Sequence, residues 1–150
     1  MIVGQADYMM KISVAVPSYN HGKYIYDCLK SIQDQDYDNY EVLISDGGST
    51  DDSLKIIKDF CHADSHFSLV SESDNGQADA IMKSFSFANG EILCFLNSDD
   101  VYLTGDVFNS VVSSFHNSED ADIISFTGCY IDSKGKFIKQ VNLRYHPFDS

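Results

Sequence analysis

Two adjacent carboxylates stand directly behind an apolar run in the second half of the chain. The run covers residues 92–96, and it is followed by Asn97, Ser98, Asp99 and Asp100. An apolar run of this length, bounded by turn residues, predicts a buried central strand. Two neighbouring like charges at its tip repel each other unless a cation offsets them. Asp99 and Asp100 are therefore candidate ligands of Mg²⁺ or Mn²⁺ holding an anionic phosphate; the alternative is an Asp-rich turn that caps the next helix.

Two earlier strand ends carry polar groups of other kinds. The first predicted strand ends at residues 17–20, which include Tyr19, and the second ends at residues 46–51, which begin with Asp46. In a parallel sheet these ends share one edge with residues 97–100, and ligands bind at that edge. Tyr19 offers an aromatic face to a base, Asp46 can accept a hydrogen bond from a base N–H, and the following glycines allow close approach to the backbone. Three such ends in register predict one binding site rather than three separate turns.

The elements that must position these ends alternate along the chain. The apolar spacing predicts strands at residues 11–17, 40–45, 67–71, 92–96 and 123–130, and helices at residues 24–35, 77–88 and 106–116, with a further helix that is capped by residues 49–51 and runs through Phe60. Residues 132–135 predict a hairpin turn into a last strand at residues 137–143. The pattern predicts an α/β fold with a mainly parallel sheet flanked by helices and a C-terminal antiparallel hairpin.

Composition limits the partners and the compartment. The chain has 150 residues and a net charge of -13, which disfavours nucleic acid and anionic membrane because both reward Lys and Arg. A divalent cation could still bridge a nucleoside diphosphate to an acidic protein. We expect an irregular leader at residues 1–9 and a single domain at residues 10–150. No segment approaches ~20 apolar residues, so the sequence predicts no membrane span. The spacing of the cysteines suits neither zinc nor a redox motif and indicates reduced thiols in the cytoplasm: Cys28, Cys61, Cys94 and Cys129.

The ordered motifs resemble the donor-binding half of family-2 glycosyltransferases, which have the Rossmann-like GT-A fold. The matching segments are V-P-S-Y-N (16–20), D-G-G-S-T-D (46–51), D-N-G-Q-A-D-A-I (74–81) and L-N-S-D-D (96–100). The resemblance runs from about residue 10 to about residue 139. It implies an inverting, metal-dependent transfer of a sugar from a nucleotide-diphosphate-sugar, by default a UDP-sugar, to a carbohydrate or lipid-linked acceptor in polysaccharide biosynthesis. It also implies Mg²⁺ or Mn²⁺ as cofactor and a cytoplasmic location, with peripheral contact at the inner face of the membrane as a further expectation.

The resemblance carries a set of site residues over to this chain. The implied nucleotide-binding residues are Pro17, Tyr19, Asn20, Asp46, Gly48, Asp74, Gln77, Asp79, Asn97, Ser98 and Asp99, and the implied metal ligands are Asp99 and Asp100. The chain departs from the family pattern at several positions. Asn97 replaces the first Asp of the common acidic motif, and Gly47 stands where many relatives have a second Asp. Met82 and Ser84 stand where relatives often have Asn and Gly.

The general base is the residue that the sequence leaves unassigned. Inverting relatives use an Asp or Glu from a later segment, so we expect the base beyond Ser150 and regard the chain as truncated relative to full-length members. The alternative is a nucleotide or nucleotide-sugar-binding module without transfer activity. A phospho-receiver domain, another small acidic fold, would place an acidic pair at residues 17–20, where this chain has none. A shortened sheet also predicts either a homo-oligomer through the strand at residues 137–143 or a poorly ordered C-terminus.

Overall fold

The computed structural model describes residues 9–70, 74–118, 120–132 and 134–141 of the chain. These residues fall into two compact units, one within residues 1–113 and the other within residues 114–150. Most of the expected leader, residues 1–8, lies outside the described residues, as does the end of the last predicted strand, residues 142–143.

The first unit alternates strands with helices. Its elements are β1 (Ile12–Ser18), α1 (Ile25–Gln33), β2 (Tyr40–Asp46), α2 (Ser53–Ala63), β3 (Phe67–Val70), α3 (Gln77–Ser86) and β4 (Ile92–Phe95), after which α4 (Val107–His116) begins. The strands pair in parallel in the order β3-β2-β1-β4. The predicted α/β fold with a mainly parallel sheet is confirmed. Parallel pairing brings the carboxyl ends of β1, β2 and β4 to one edge, as the sequence predicted.

Helical periodicity selected the core-facing residues correctly. In α1 the buried side chains are those with the predicted spacing, Ile25, Cys28, Leu29 and Ile32. In α2, Ile57 and Phe60 are buried as expected. Strand β1 is buried along its whole length because it lies between β2 and β4. Burial of each such aliphatic side chain contributes roughly 1.5–3 kcal/mol to the free energy of folding. Strand β1 is therefore held firmly, and the site residues at its carboxyl end follow directly from it.

The prediction that residues 92–96 form a buried central strand is wrong. Strand β4 pairs with β1 alone among the described residues, so it lies at one edge of the described sheet. Ile92 is buried, but Leu93 and Phe95 are 51% and 54% exposed. An apolar run indicates only that burial of its side chains would be favourable. Whether other strands cover them depends on the rest of the sheet.

The second unit contains a short hairpin. Strand β5 (Cys129–Ile131) pairs antiparallel with β6 (Phe137–Gln140), as predicted. Asp132 closes the turn because its Oδ1 accepts the N–H groups of Lys134 and Lys136. The predicted strand at residues 123–130 is wrong over most of its length, since residues 123–128 have no strand pairing and a strand needs a partner for its backbone groups. Self-association through β6 stays a prediction; all of its residues are exposed.

A carboxylate network ties the loop after α3 to the sheet, at the end remote from the carboxyl edge. The side chain of Glu41 on β2 accepts hydrogen bonds from the Ser13 hydroxyl at 2.6 Å, the Asn89 N–H at 2.6 Å and the Lys11 ammonium at 2.7 Å. The Gly90 N–H in turn donates to the Ser13 hydroxyl. Burial by itself raises the pKa of Glu41, but the hydrogen bonds from Lys11, Ser13 and Asn89 outweigh it and lower the pKa to about 2.

This depressed pKa predicts an acid-sensitive contribution to stability. Because the folded pKa of about 2 lies below the ordinary value of 4.5, the contribution is complete above pH 4.5 and is lost as pH falls toward 2. We expect the difference in unfolding free energy between wild type and Glu41→Gln to shrink by about 3 kcal/mol across that window. Urea denaturation from pH 2 to pH 7 measures it. A difference that stays constant with pH would contradict the role of the carboxylate, since Gln cannot titrate.

Candidate functional site

A cleft opens at the carboxyl edge of the sheet. Its volume is about 770 Å³, within the range of small-ligand sites. The residues that line it come from the ends of β1, β2 and β4 and from the start of α3: Pro17, Ser18, Tyr19, His21, Gly47, Asp74, Gly76, Gln77, Ala80, Asn97, Ser98 and Asp99. The structure therefore brings the three predicted strand ends together with the start of α3, where the family resemblance had implied Asp74 and Gln77 as site residues.

The ends of β1 and β2 are joined by a buried polar network. Asp46 is 1% exposed. Its Oδ1 accepts the N–H groups of Gly48 and Ser49, and its Oδ2 accepts the Ser49 hydroxyl at 2.6 Å. The Ser49 Oγ also accepts the N–H of Asn20, whose φ of 54° is left-handed. Asp46 thus holds the loop that presents Tyr19. It is not among the residues that line the cleft, and its contact with a base stays a prediction.

The side chains of the two loops also bond across to each other. The Oδ1 of Asn20 accepts the Thr50 N–H at 2.8 Å, and the Oδ2 of Asp51 accepts the Gly22 N–H at 2.9 Å. Asn20 and Gly48 support the two loops and lie outside the lining of the cleft, and their contact with a nucleotide stays a prediction. Tyr19 stands at the cleft with 60% of its surface exposed. An exposed ring held by a bonded loop leaves its face free for a planar ligand.

Of the two carboxylates at the start of α3, Asp74 lines the cleft and Asp79 does not. A Cβ on Gly47 would lie only 2.8 Å from the Oδ2 of Asp74, so a side chain at residue 47 would displace this carboxylate. Asp79 accepts the Asn75 N–H at 2.9 Å and pairs with Lys83 at 3.1 Å, and these contacts lower its pKa. The local role of Asp79 is to stabilise the first turn of α3.

The acidic loop behind β4 is held by amide side chains. Asn97 accepts a hydrogen bond at Oδ1 from the Gln77 amide and donates through Nδ2 to the Asp100 Oδ2 at 3.0 Å. Asn97 therefore orients Asp100 without adding charge. Asp99 is exposed and lines the cleft, whereas Asp100 is exposed outside the lining.

The donor set suits a cation that shares its coordination with a ligand. No group of three or more His, Cys, Asp or Glu residues that could hold a metal occurs in the described part of the chain. Asp99 and Asp100 would thus supply carboxylate oxygens only, and phosphate and water oxygens would complete the shell. Mg²⁺ and Mn²⁺ accept this arrangement because they are hard ions that commonly bind through one or two carboxylates plus phosphates.

Sequence reasoning missed His21 and Ser18 as cleft residues. The Nδ1 of His21 lies 2.5 Å from the hydroxyl of Ser98, which is 1% exposed. Ser18 lines the cleft, and its buried hydroxyl has no hydrogen-bond partner among the described residues. The available signal was position: Ser18 lies inside the first motif, and His21 directly follows it.

The thiol of Cys28 is hydrogen-bonded to the backbone of the acidic loop. The Sγ of Cys28 on α1 donates to the carbonyl of Asn97 at 3.4 Å. Burial raises the pKa of this thiol, and the charges of Asp100 and Asp99 raise it further. The thiol therefore stays protonated and serves as a donor, because the neighbouring carboxylates disfavour a thiolate.

The parallel sheet, the acidic loop and the cleft at the carboxyl edge form a fold that solved GT-A glycosyltransferases share. The family model described as "Glycosyl transferase family 2" matches residues 13–149. The chain belongs to this family.

Relatives and solved structures agree with this assignment. The chain is 34% identical over 117 residues to "Glycosyltransferase GlyG" of Streptococcus pneumoniae, covering 75% of this chain and 37% of that protein. A mannosyltransferase from Pyrobaculum calidifontis in complex with GDP-Man and Mn²⁺ superposes with a TM-score of 0.65 at 28% identity, over 71% of this chain and 32% of that one. TarS of S. aureus in complex with UDP-GlcNAc gives 0.62 at 28% identity, over 73% and 32%.

The match is to part of larger proteins. The chain spans between 18% and 42% of the length of eight curated relatives that it resembles. Within the described residues, no helix combines the length and the apolar character that crossing a bilayer would need.

Proposed function

We propose that the cleft binds the nucleoside diphosphate of a nucleotide-sugar donor, and that the chain acts as the donor half of an inverting, metal-dependent glycosyltransferase. The observation that carries this proposal is the pairing of an exposed aromatic ring, Tyr19, with an exposed carboxylate, Asp99, on the walls of one cleft. The ring suits a base and the carboxylate suits a cation that binds phosphates. The GDP-Man, Mn²⁺ and UDP-GlcNAc bound to the structural relatives support the same assignment.

The residues of the cleft take distinct roles in this proposal. Pro17 and Tyr19 receive the base, with Asp46 as its hydrogen-bond acceptor, and Asn97, Ser98 and Asp99 face the ribose and the phosphates. The list of further contacts comprises Asn20, Gly48, Asp74, Gln77 and Asp79. A divalent ion at Asp99 and Asp100 supplies a Lewis acid that offsets the charge on the departing diphosphate.

The acceptor side of the reaction is also part of the proposal. The acceptor is a carbohydrate or a lipid-linked saccharide at the cytoplasmic face of the membrane, and its hydroxyl oxygen attacks the anomeric carbon while a general base removes the proton. The carboxylates that line the described cleft are Asp74 and Asp99, and both are assigned to the donor. The base therefore has no candidate among the described cleft residues. A chain that binds donor without transfer is the competing proposal.

Calorimetry with nucleotides tests the donor site. We expect UDP or another nucleoside diphosphate to bind at least about tenfold more tightly with Mn²⁺ than with EDTA, because the ion bridges acidic protein and anionic ligand. UDP, GDP, CDP and ADP are compared to identify the base. Absence of metal-dependent binding to all four would overturn the proposal. A donor-hydrolysis assay with the corresponding nucleotide-sugar then separates transferase from binding module.

A further inference from the structure

His21 is a cleft residue whose ring is fixed by its neighbours. It lies between β1 and α1, and its carbonyl accepts the N–H groups of Tyr24 and Ile25 at the start of α1. The ring meets that of Tyr24 edge to face at 6.3 Å between centroids, and its Nδ1 lies 2.5 Å from the Ser98 Oγ. A ring held at one edge by a hydroxyl and against one aromatic side chain has little rotational freedom to lose when it binds a ligand.

The charge of the cleft makes this ring unusual. The ionisable groups on the described lining, apart from the Tyr19 phenol, are the carboxylates Asp74 and Asp99 and the imidazole of His21, and no Lys or Arg is among them. A diphosphate adds further negative charge beside these carboxylates, and one divalent ion offsets only part of the total. His21 is thus the basic side chain that the described wall offers to an anion.

The contact between the Nδ1 of His21 and the Ser98 hydroxyl is compatible with the imidazole tautomer that carries its proton on Nε2. When the Ser98 hydroxyl donates to Nδ1, the neutral ring carries its proton on Nε2. The structure gives Nε2 no hydrogen-bond partner among the described residues, so its N–H is available to a ligand in the cleft. Asp99 directly follows Ser98, so the same contact also ties the cation-binding loop to the loop that ends β1.

We propose that His21 is a specificity-determining residue that donates its Nε2–H to a phosphate oxygen of the bound ligand, with Ser98 fixing the ring through Nδ1. This inference rests on the proposed nucleotide site and deepens it. It assigns recognition of the phosphate to the loop after β1, separately from the cation at Asp99, and it predicts discrimination between a nucleoside diphosphate and the bare nucleoside.

The test compares UDP with uridine in the presence of Mn²⁺. In the His21→Asn variant the side-chain amide takes about the position of Nδ1, so it can keep a hydrogen bond to Ser98. It has no group at the position of Nε2. We expect the affinity for UDP to fall by at least about tenfold, because the variant loses the hydrogen bond to a charged phosphate oxygen. The affinity for uridine should change by less than about twofold, because uridine has no phosphate to accept that bond. His62→Asn, on the exposed surface of α2, is the matched control and should bind both ligands as wild type does.

Each outcome has a distinct meaning. Equal losses for UDP and uridine in His21→Asn, with thermal unfolding unchanged, would show a purely structural role and overturn the inference. Wild-type affinity for UDP in that variant would also overturn it. Ser98→Ala should weaken UDP binding by about threefold more than it weakens uridine binding, since the ring loses its hydrogen-bonded support but keeps its donor. Failure of wild-type protein to bind any nucleoside diphosphate would instead overturn the proposed function itself.

Discussion

Replacing Asp99 by alanine is expected to weaken Mn²⁺-dependent binding of UDP by about a hundredfold and to leave the weak metal-free binding nearly unchanged. Asp99 is the exposed carboxylate of the acidic loop that lines the cleft. Its removal takes away the protein oxygen best placed to hold the cation, and the acidic cleft then repels the diphosphate. Titration of UDP in Mn²⁺ and in EDTA measures both affinities.

The neighbouring carboxylate provides an internal comparison. The Asp100 carboxylate accepts a hydrogen bond from the Asn97 amide and lies outside the lining of the cleft. Asp100→Asn should therefore reduce the Mn²⁺-dependent affinity for UDP less than Asp99→Asn does. Asp59→Asn, an equal charge change on the exposed face of α2, should leave both affinities unchanged. If Asp99→Ala retains the full Mn²⁺ dependence, the acidic loop is only a turn that caps the following segment, which is the alternative the sequence left open.

Replacing Gly90 by alanine is expected to destabilise the first unit by about 3 kcal/mol. A Cβ at Gly90 would lie 2.6 Å from the carbonyl oxygen of Lys11 and 2.8 Å from the backbone nitrogen of Ser13. Both are backbone atoms at the start of the buried strand β1, so they cannot move aside cheaply. The added methyl would also displace the Ser13 hydroxyl, which lies 2.7 Å from the Cβ position and bonds Glu41.

Urea denaturation followed by circular dichroism measures this loss. Gly128→Ala is the matched control, because the nearest atom to its Cβ, Cγ2 of Val141, is 3.9 Å away and the change should stay within about 0.5 kcal/mol. Similar unfolding free energies for the two variants would contradict the close packing of the loop after α3 against β1. Reduced UDP binding by Gly90→Ala at temperatures where it is folded would indicate that the loop also influences the cleft.

The helices could be predicted from the sequence because their apolar residues recur with a regular period. Ile25, Leu29 and Ile32 recur at helical spacing, and all are buried in α1. Such repeats report local geometry, which each segment satisfies by itself. The environment of β4 was not predictable in this way: Leu93 and Phe95 are apolar yet exposed, because the number of strands beside them depends on chain far away in sequence.

The sequence by itself determined the order of strands and helices, the motifs at the strand ends and the membership of the family that these motifs indicate. Only the tertiary structure decided which polar groups face the cleft. Asp46 and Asp79 are bonded by local partners and lie outside the lining of the described cleft, and their contacts with a nucleotide stay predictions. His21 and Ser98 meet although they are 77 residues apart. The physical reason is that residue type and spacing are local properties, whereas hydrogen-bond partners depend on sheet register and helix packing that bring distant segments together.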